Sequence, residues 1–248
     1  MNLFQHIGRF TLMISLAFRK PEKWKVLRQN IVIEINTIGI SSLSIVALLS
    51  LFMGAVMVIQ TASNIDSVLI PAYTVGFATR QSIILEFSST MICLILAGKV
   101  GSNIASEIGT MKLTEQIDAL EVMGVNSINH LVLPKILASL FIFPFIVLIS
   151  MGLGLIGGGL IGTQAGIITL EKYIMGLQYY FVPFSITYSL IKTLFFAFFI
   201  ATIPSYFGYY VNPSGGALEV GRSGTKSVVA SSMVILLINL IITYFLLL

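Results

Sequence analysis

Polar positions thin out after residue 37, and the rest of the chain is a series of long apolar runs separated by short polar stretches. The runs cover about 38–63, 82–106, 131–163, 183–204 and 228–248, each near or above the ~20 residues a helix needs to cross a bilayer. Five transmembrane helices are therefore expected. The third run exceeds one crossing, so it is expected to tilt, project or kink at Pro144. Residues 2–18 carry another pattern. Leu3, Phe4, Ile7, Phe10, Ile14 and Phe18 fall near one helical face, and Gln5, His6 and Arg9 fall away from it. This segment is short for a span and broken by charge, so it reads as an interfacial helix lying on the membrane. It does not read as a cleavable signal, because no small-residue cleavage site precedes the basic cluster. The expected organisation is all-α and a single domain over 1–248. Residues 1–37 form an interfacial and basic segment, and residues 38–248 form the five-span region.

Composition sharpens this picture. Charged residues make up 10%, hydrophobic residues 56%, and the mean hydropathy is +0.98. Soluble domains carry about 25% charged residues, so a globular enzyme with a wet surface is excluded. The positions of Lys and Arg give an orientation. Arg9, Arg19, Lys20, Lys23, Lys25 and Arg28 precede the first run. Lys112 lies between runs two and three, with Lys99 and Lys135 near the flanking ends, and Arg222 and Lys226 lie between runs four and five. The other two loops hold only Arg80 and Lys172. The positive-inside rule then puts the N-terminus in the cytoplasm and the C-terminus outside. Trp24 within "RKPEKWKVLR" suits a surface of anionic headgroups.

Four polar residues stand out in the apolar runs. Ionisable groups inside a membrane are costly and usually face a partner or a cavity. Glu86 sits early in the second run and Lys192 inside the fourth. Either they pair or they line the polar edge of a lipid cavity; a snorkelling Glu86 and an unrelated structural contact for Lys192 are the plainer readings. Gln60, near the end of the first run, suits a lipid headgroup or another helix equally. Asn239 lies in the fifth run. In the third run Gly154, Gly158, Gly162 and Gly166 recur every four residues and leave a side-chain-free stripe. Helix packing within the chain is the plain reading; a lipid path or subunit interface is the other.

The stretch "EIGTMKLTEQIDALEVMGVN", Glu107 to Asn126, is unlike its surroundings. Thr114 has the chemistry of a helix N-cap, with Glu115 and Asp118 in the first turn, where the helix dipole favours negative charge. Gly124 is placed to end the helix. Ile117, Leu120 and Met123 share one face, and Glu115, Asp118 and Glu121 share another. A helix of about nine residues is too short to stand alone in water, so it must dock. An ordinary solvated loop helix and a coupling helix gripped by a cytosolic partner both fit this spacing.

Several chemistries are absent. "GRSGTKS" is not a phosphate-binding loop, because Thr225 stands where a Gly must precede Lys226, and "AGKVG" lacks the Ser or Thr that binds magnesium. "GRSG" resembles a membrane serine protease motif, but His6 and His130 both lie upstream of it. Two histidines and one cysteine make no metal cluster, and Cys93 reads as a small core residue. No nucleic-acid site is indicated; the basic N-terminus reads as membrane surface.

The run "AGKVGSNIASEIGTMKLTEQIDALEVMGVNSINHLVLPKILA", Ala97 to Ala138, resembles the signature of the MlaE/YrbE family, permease subunits of lipid-handling ABC transporters. The likeness lies in Glu107-Ile-Gly-Thr-Met, in Thr114-Glu-Gln-Ile-Asp-Ala-Leu, in Met123-Gly and in Pro134. "FGYYVNPSGGALEVGRSGTKSVVASS", Phe207 to Ser232, resembles the family's Gly-rich cytoplasmic loop. The resemblance implies a homodimeric permease in the bacterial inner membrane that moves phospholipid and maintains outer-membrane lipid asymmetry. It implies no cofactor of its own, with ATP bound and hydrolysed by a partner cytosolic ABC ATPase. It makes Thr114, Glu115, Gln116, Asp118 and Glu121 the coupling segment, and Gln60, Glu86 and Lys192 match family positions. A periplasmic MCE-domain lipid-binding protein and a STAS-domain protein are further implied partners. Two departures are visible. Asn239 stands where many members have Asp, so a role needing negative charge there is in doubt. Ser88 and Ser89 stand where Gly-Pro is common. An ion-driven secondary transporter and a noncatalytic membrane scaffold are the alternative functions.

Overall fold

A computed structural model describes residues 3–19, 23–65 and 70–247. Asn2, Lys20 and Leu248, which entered the expectations above, lie outside the described residues, and the Leu3 side chain is likewise not described. Among the described residues the chain is helical, with no strand. We number eight helices: α1 (Leu3–Ala17), α2 (Trp24–Asn64), α3 (Tyr73–Leu113), α4 (Gln116–Val122), α5 (Ser127–Gln164), α6 (Leu170–Gln178), α7 (Phe184–Tyr209) and α8 (Gly216–Leu247), the last preceded by a tight turn at Pro213–Gly215. Helices α2, α3, α5, α7 and α8 are long and apolar enough to cross a membrane.

The helices outrun the apolar runs. The 41 residues of α2 or α3 extend about 60 Å, twice a hydrocarbon core of roughly 30 Å. The reason is physical. Hydropathy marks only the part that lipid or core must surround, whereas backbone hydrogen bonding carries a helix on through polar residues such as Lys25, Arg28 and Asn30. Helix α5 runs unbroken through Pro144. Helix α6 has no counterpart in the hydropathy pattern. Three stretches are π-helical, Ile35–Ile40 in α2 and Ile83–Met91 and Ala97–Gly101 in α3. Such wide turns are rare and concentrate at functional sites.

The chain divides into two compact units. The first comprises Met1–Ser42, Leu94–Ile142 and Phe195–Ile241, and the second Leu43–Cys93, Phe143–Leu194 and Ile242–Leu248. In the first unit Met13 and Ala17 of α1 are buried against Ile128, Val132 and Ile136 of α5 and Ala201 and Tyr206 of α7. Asn129 locks this contact by donating to the carbonyls of Ala17 (2.6 Å) and Arg19 (2.8 Å) at the end of α1. Two polar residues of α1 reach protein: His6 Nδ1 lies 2.7 Å from the Tyr206 hydroxyl, and Arg9 sits over the Tyr210 ring. Phe4, Ile7, Leu12 and Phe18 stay exposed, as an interfacial helix requires of the side it turns to lipid.

In the second unit α2 and α5 cross at glycines. A methyl group on Gly54 would overlap the Gly154 carbonyl, and one on Gly157 would overlap the Leu51 carbonyl. A Cβ on Gly158 or Gly162 would lie 2.8 Å from Val58. The expected stripe needs one correction. Gly166 has open space around it and lies beyond the end of α5, where it takes φ 69° to turn the chain. The contact instead recruits Gly54 and Gly157, which a search for four-residue repeats on one helix passes over. Helix α6 packs on the start of α3 at a second small-residue crossing, Gly76 against the backbone of Tyr173 and Gly176 against that of Tyr73. Burial pushes the Tyr173 phenol up to about 12, so it keeps the proton it donates to the Leu155 carbonyl at 2.9 Å.

Candidate functional site

Two constellations carry the chemistry, one in each unit. In the first unit α4 hangs between α3 and α5. Thr114 does not cap it, contrary to expectation. Thr114 closes α3: its hydroxyl donates to the Thr110 carbonyl at 2.9 Å and its backbone N–H does the same. Glu115 then takes the left-handed conformation, φ 59°, and makes the corner from which α4 starts. A side chain held there costs about 1 kcal/mol or more. Helix α4 is therefore seven residues, Gln116–Val122, rather than nine. Its far end does terminate at Gly124, φ 80°, where the N–H groups of Gly124 and Val125 donate to the carbonyls of Glu121 and Leu120.

The faces of α4 also differ from the expected split. Ile117 is buried and anchors the helix, and Leu120 is half-buried. Met123, grouped with them by spacing, is 69% exposed, and Val122 beside it is 89% exposed. The carboxylates separate too. Glu115 and Gln116 are exposed, and Asp118 pairs with Lys112 at 2.6 Å. Glu121 turns back into the protein: one oxygen accepts from Ser127 at 2.8 Å and from Tyr209 at 2.9 Å. Ser127 starts α5 and Tyr209 ends α7, so this carboxylate ties α4 to two spans. It fastens α4 while remaining exposed, as Glu115 and Asp118 are.

Close by in sequence, Lys135 of α5 is buried and bridges Glu34 of α2 at 2.5 Å and Glu107 of α3 at 2.7 Å. Sequence reading counted Lys135 only as a charge near the end of a run and left Glu34 and Glu107 without a role. The signal that was present is a glutamate in the family-like "EIGTM" run, beside apolar residues.

In the second unit Lys192 of α7 is fully buried, and its ammonium lies 2.8 Å from Glu86 of α3. The Leu85 carbonyl at 3.3 Å and the Tyr188 hydroxyl at 3.1 Å complete its surroundings, with the Tyr188 ring 4.7 Å beneath it. The other Glu86 oxygen accepts from Thr90 at 2.9 Å. Glu86 belongs to the π-helical stretch of α3, and its side chain is 43% exposed. The ammonium is thus hidden and the carboxylate opens outward. This arrangement presents a polar, negatively charged edge whose charge is balanced from behind. Gln60 is exposed on α2 in the same unit, whereas Asn239 is half-buried on α8 in the first unit. Arg80 also needs correction. It is not a loop charge but is buried in α3, donating to the carbonyls of Leu177, Tyr179 and Tyr180 and lying over the rings of Phe77 and Phe181. Among the described residues no group of three or more His, Cys, Asp or Glu side chains is placed to hold a metal.

Five helices of spanning length and an ion pair set among them define a polytopic α-helical membrane protein. The chain belongs to the MlaE permease family, whose model, described as "Permease MlaE", matches residues 31–245. It is 34% identical over 242 residues to a "Probable ABC transporter permease protein" of Rickettsia bellii, covering 98% of this chain and 92% of that one. A protein of the same description from Synechocystis is 30% identical over 242 residues, covering 97% and 90%. "Protein TRIGALACTOSYLDIACYLGLYCEROL 1, chloroplastic" of Arabidopsis thaliana is 28% identical over 223 residues, covering 90% and 63%.

Proposed function

We propose that the chain is the membrane-spanning subunit of an ABC transporter that moves phospholipid, energised by a separate ATPase gripping α4. The observation that carries this reading is the division of α4. Ile117 and Glu121 fasten it to the membrane helices, while Glu115, Asp118, Val122 and Met123 present a mixed acidic and apolar surface to a partner. A seven-residue helix fastened at both ends moves as a lever, because a push on it is felt directly by α5 and α7. The names of the Rickettsia and Synechocystis relatives support an ABC system, and that of the chloroplast relative contains a glycerolipid.

In this reading the acyl chains lie against exposed Leu, Ile, Val and Phe of the spans. The headgroup approaches Glu86, backed by Lys192, with Gln60 on the same unit. The protein acts as a homodimer in an inner membrane, N-terminus cytoplasmic and C-terminus periplasmic. A periplasmic MCE-domain protein continues the lipid route, a STAS-domain protein accompanies the ATPase, and the outcome is lipid asymmetry of the outer membrane. The test is a pull-down from native membranes in mild detergent, with bound proteins identified by mass spectrometry. Wild type is expected to retain an ABC ATPase and a Glu115→Lys, Asp118→Lys variant to lose it. No ATPase with either would favour an ion-driven transporter or a scaffold.

A further inference from the structure

A cleft of about 660 Å³ opens in the first unit between α2 and α3. The polar side chains that line it include Asn36, Thr37, Ser41, Lys99, Ser102 and Asn103, and no acidic side chain lines it. Two of the three π-helical stretches meet here, Ile35–Ile40 on one wall and Ala97–Gly101 on the other. Polar side chains this dense need a reason, because the cleft lies where the apolar run of α2 begins and that of α3 ends. The two helices run in opposite directions along these runs, so both walls sit at one membrane boundary, the depth of lipid headgroups.

The donors are of a particular kind. Four of the lining hydroxyls donate to their own helices: Thr37 to the Ile33, Ser41 to the Thr37, Ser42 to the Ile38 and Ser102 to the Lys99 carbonyl. The Lys99 ammonium reaches across to the Ser41 carbonyl, a contact that uses one of its three N–H groups. It is exposed, and the nearest carboxylate in sequence, Glu107, is taken by Lys135 at 2.7 Å. The cleft therefore offers an ammonium and two amides, Asn36 and Asn103, with no competing negative charge. That set matches the oxygens of a phosphate ester.

We propose that this cleft binds the phosphate of an anionic phospholipid headgroup, drawn from the bilayer leaflet at that boundary. Lys99 supplies the charge, and Asn36 and Asn103 the neutral donors. The site is separate from the Glu86–Lys192 pair and stands whether or not phospholipid is the transported cargo. The experiment uses the full chain in nanodiscs of phosphatidylcholine doped with phosphatidylglycerol bearing a photoreactive headgroup, with adducts mapped by mass spectrometry. Adducts are expected within residues 36–42 and 99–106, falling about tenfold in Lys99→Gln, the loss that accompanies removal of one charge-assisted hydrogen bond. Lys99→Arg should keep them, which separates lost charge from lost folding, and Lys112→Gln should leave them unchanged. Equal labelling in wild type and Lys99→Gln, or adducts elsewhere only, would overturn the site. Abolition of labelling by excess inorganic phosphate would assign the cleft to a soluble phosphate instead. Capture of a second copy of the chain at these residues would make it a subunit interface.

Discussion

The two buried lysines, one in each unit, solve the same problem differently. Lys192 has one carboxylate, Glu86, and fills its remaining directions with a carbonyl, a hydroxyl and a ring face. Lys135 has two carboxylates, Glu34 and Glu107, and one oxygen of Glu34 is buried with no hydrogen-bond partner. The first is a one-to-one pair with balanced charge, open on the carboxylate side. The second joins three helices and gathers two carboxyl groups around one ammonium. A balanced pair with one open side can face a headgroup without moving. A cluster across α2, α3 and α5 holds those helices together only while the lysine stays between the two carboxyl groups. The cluster also brackets α4 in the chain, with Glu107 before it and Lys135 after it. On the proposed function, the pair is the contact for cargo and the cluster is the brace for the lever.

The comparison breaks most sharply at the lysines. Lys135→Met leaves two carboxylates facing each other, and should destabilise the protein by about 3–5 kcal/mol or prevent its accumulation, seen as a fall in detergent melting temperature. Lys192→Met strands one partly exposed carboxylate and should cost less; an equal or larger fall would refute the distinction. The glutamates should rank in the opposite sense. Glu86→Gln leaves Lys192 without any counter-charge, whereas Glu34→Gln leaves Lys135 with Glu107, so Glu86→Gln should lower the melting temperature more. For transport, Lys192→Glu should impair lipid movement severely and Lys192→Glu with Glu86→Lys should recover part of it. Equal defects would remove the pair from the cargo path. Next comes the lever. Glu121→Gln should retain the bound ATPase while weakening the effect of lipid on its turnover, at a stability cost of about 1–2 kcal/mol. The smallest effect is expected at Tyr173→Phe, which removes one neutral hydrogen bond worth about 1 kcal/mol and touches neither lysine.

Much of this was visible in the sequence because a bilayer is a simple filter. An isolated lysine inside "SLIKTLFFAFF" is conspicuous, so Lys192 and Glu86 could be singled out. Lys135, Glu34, Glu107 and Arg80 were not, because they lie near the ends of apolar runs, where charge is ordinary; only the fold shows that Lys135 and Arg80 are buried. Helix α4 was legible as a short docked helix, but not its polarity. Thr114 has the chemistry of an N-cap, and the choice between ending one helix and starting the next was made by the backbone of Glu115, which no periodicity reports. Met123 shares a spacing with Ile117 yet is exposed, because seven residues complete barely two turns before Gly124 turns the chain. The π-helical stretches left no pattern at all.

On the proposed function, ATP hydrolysis in a partner drives lipid movement through α4. The direct measurement is movement of headgroup-labelled phospholipid across proteoliposomes holding the co-purified complex, with and without ATP, for wild type and for Val122→Asp, Met123→Asp. ATP-dependent movement is expected in wild type, and its loss in the variant, with lipid still bound. Lipid movement that ignores ATP and follows an ion gradient, or persists unchanged in the variant, would contradict it.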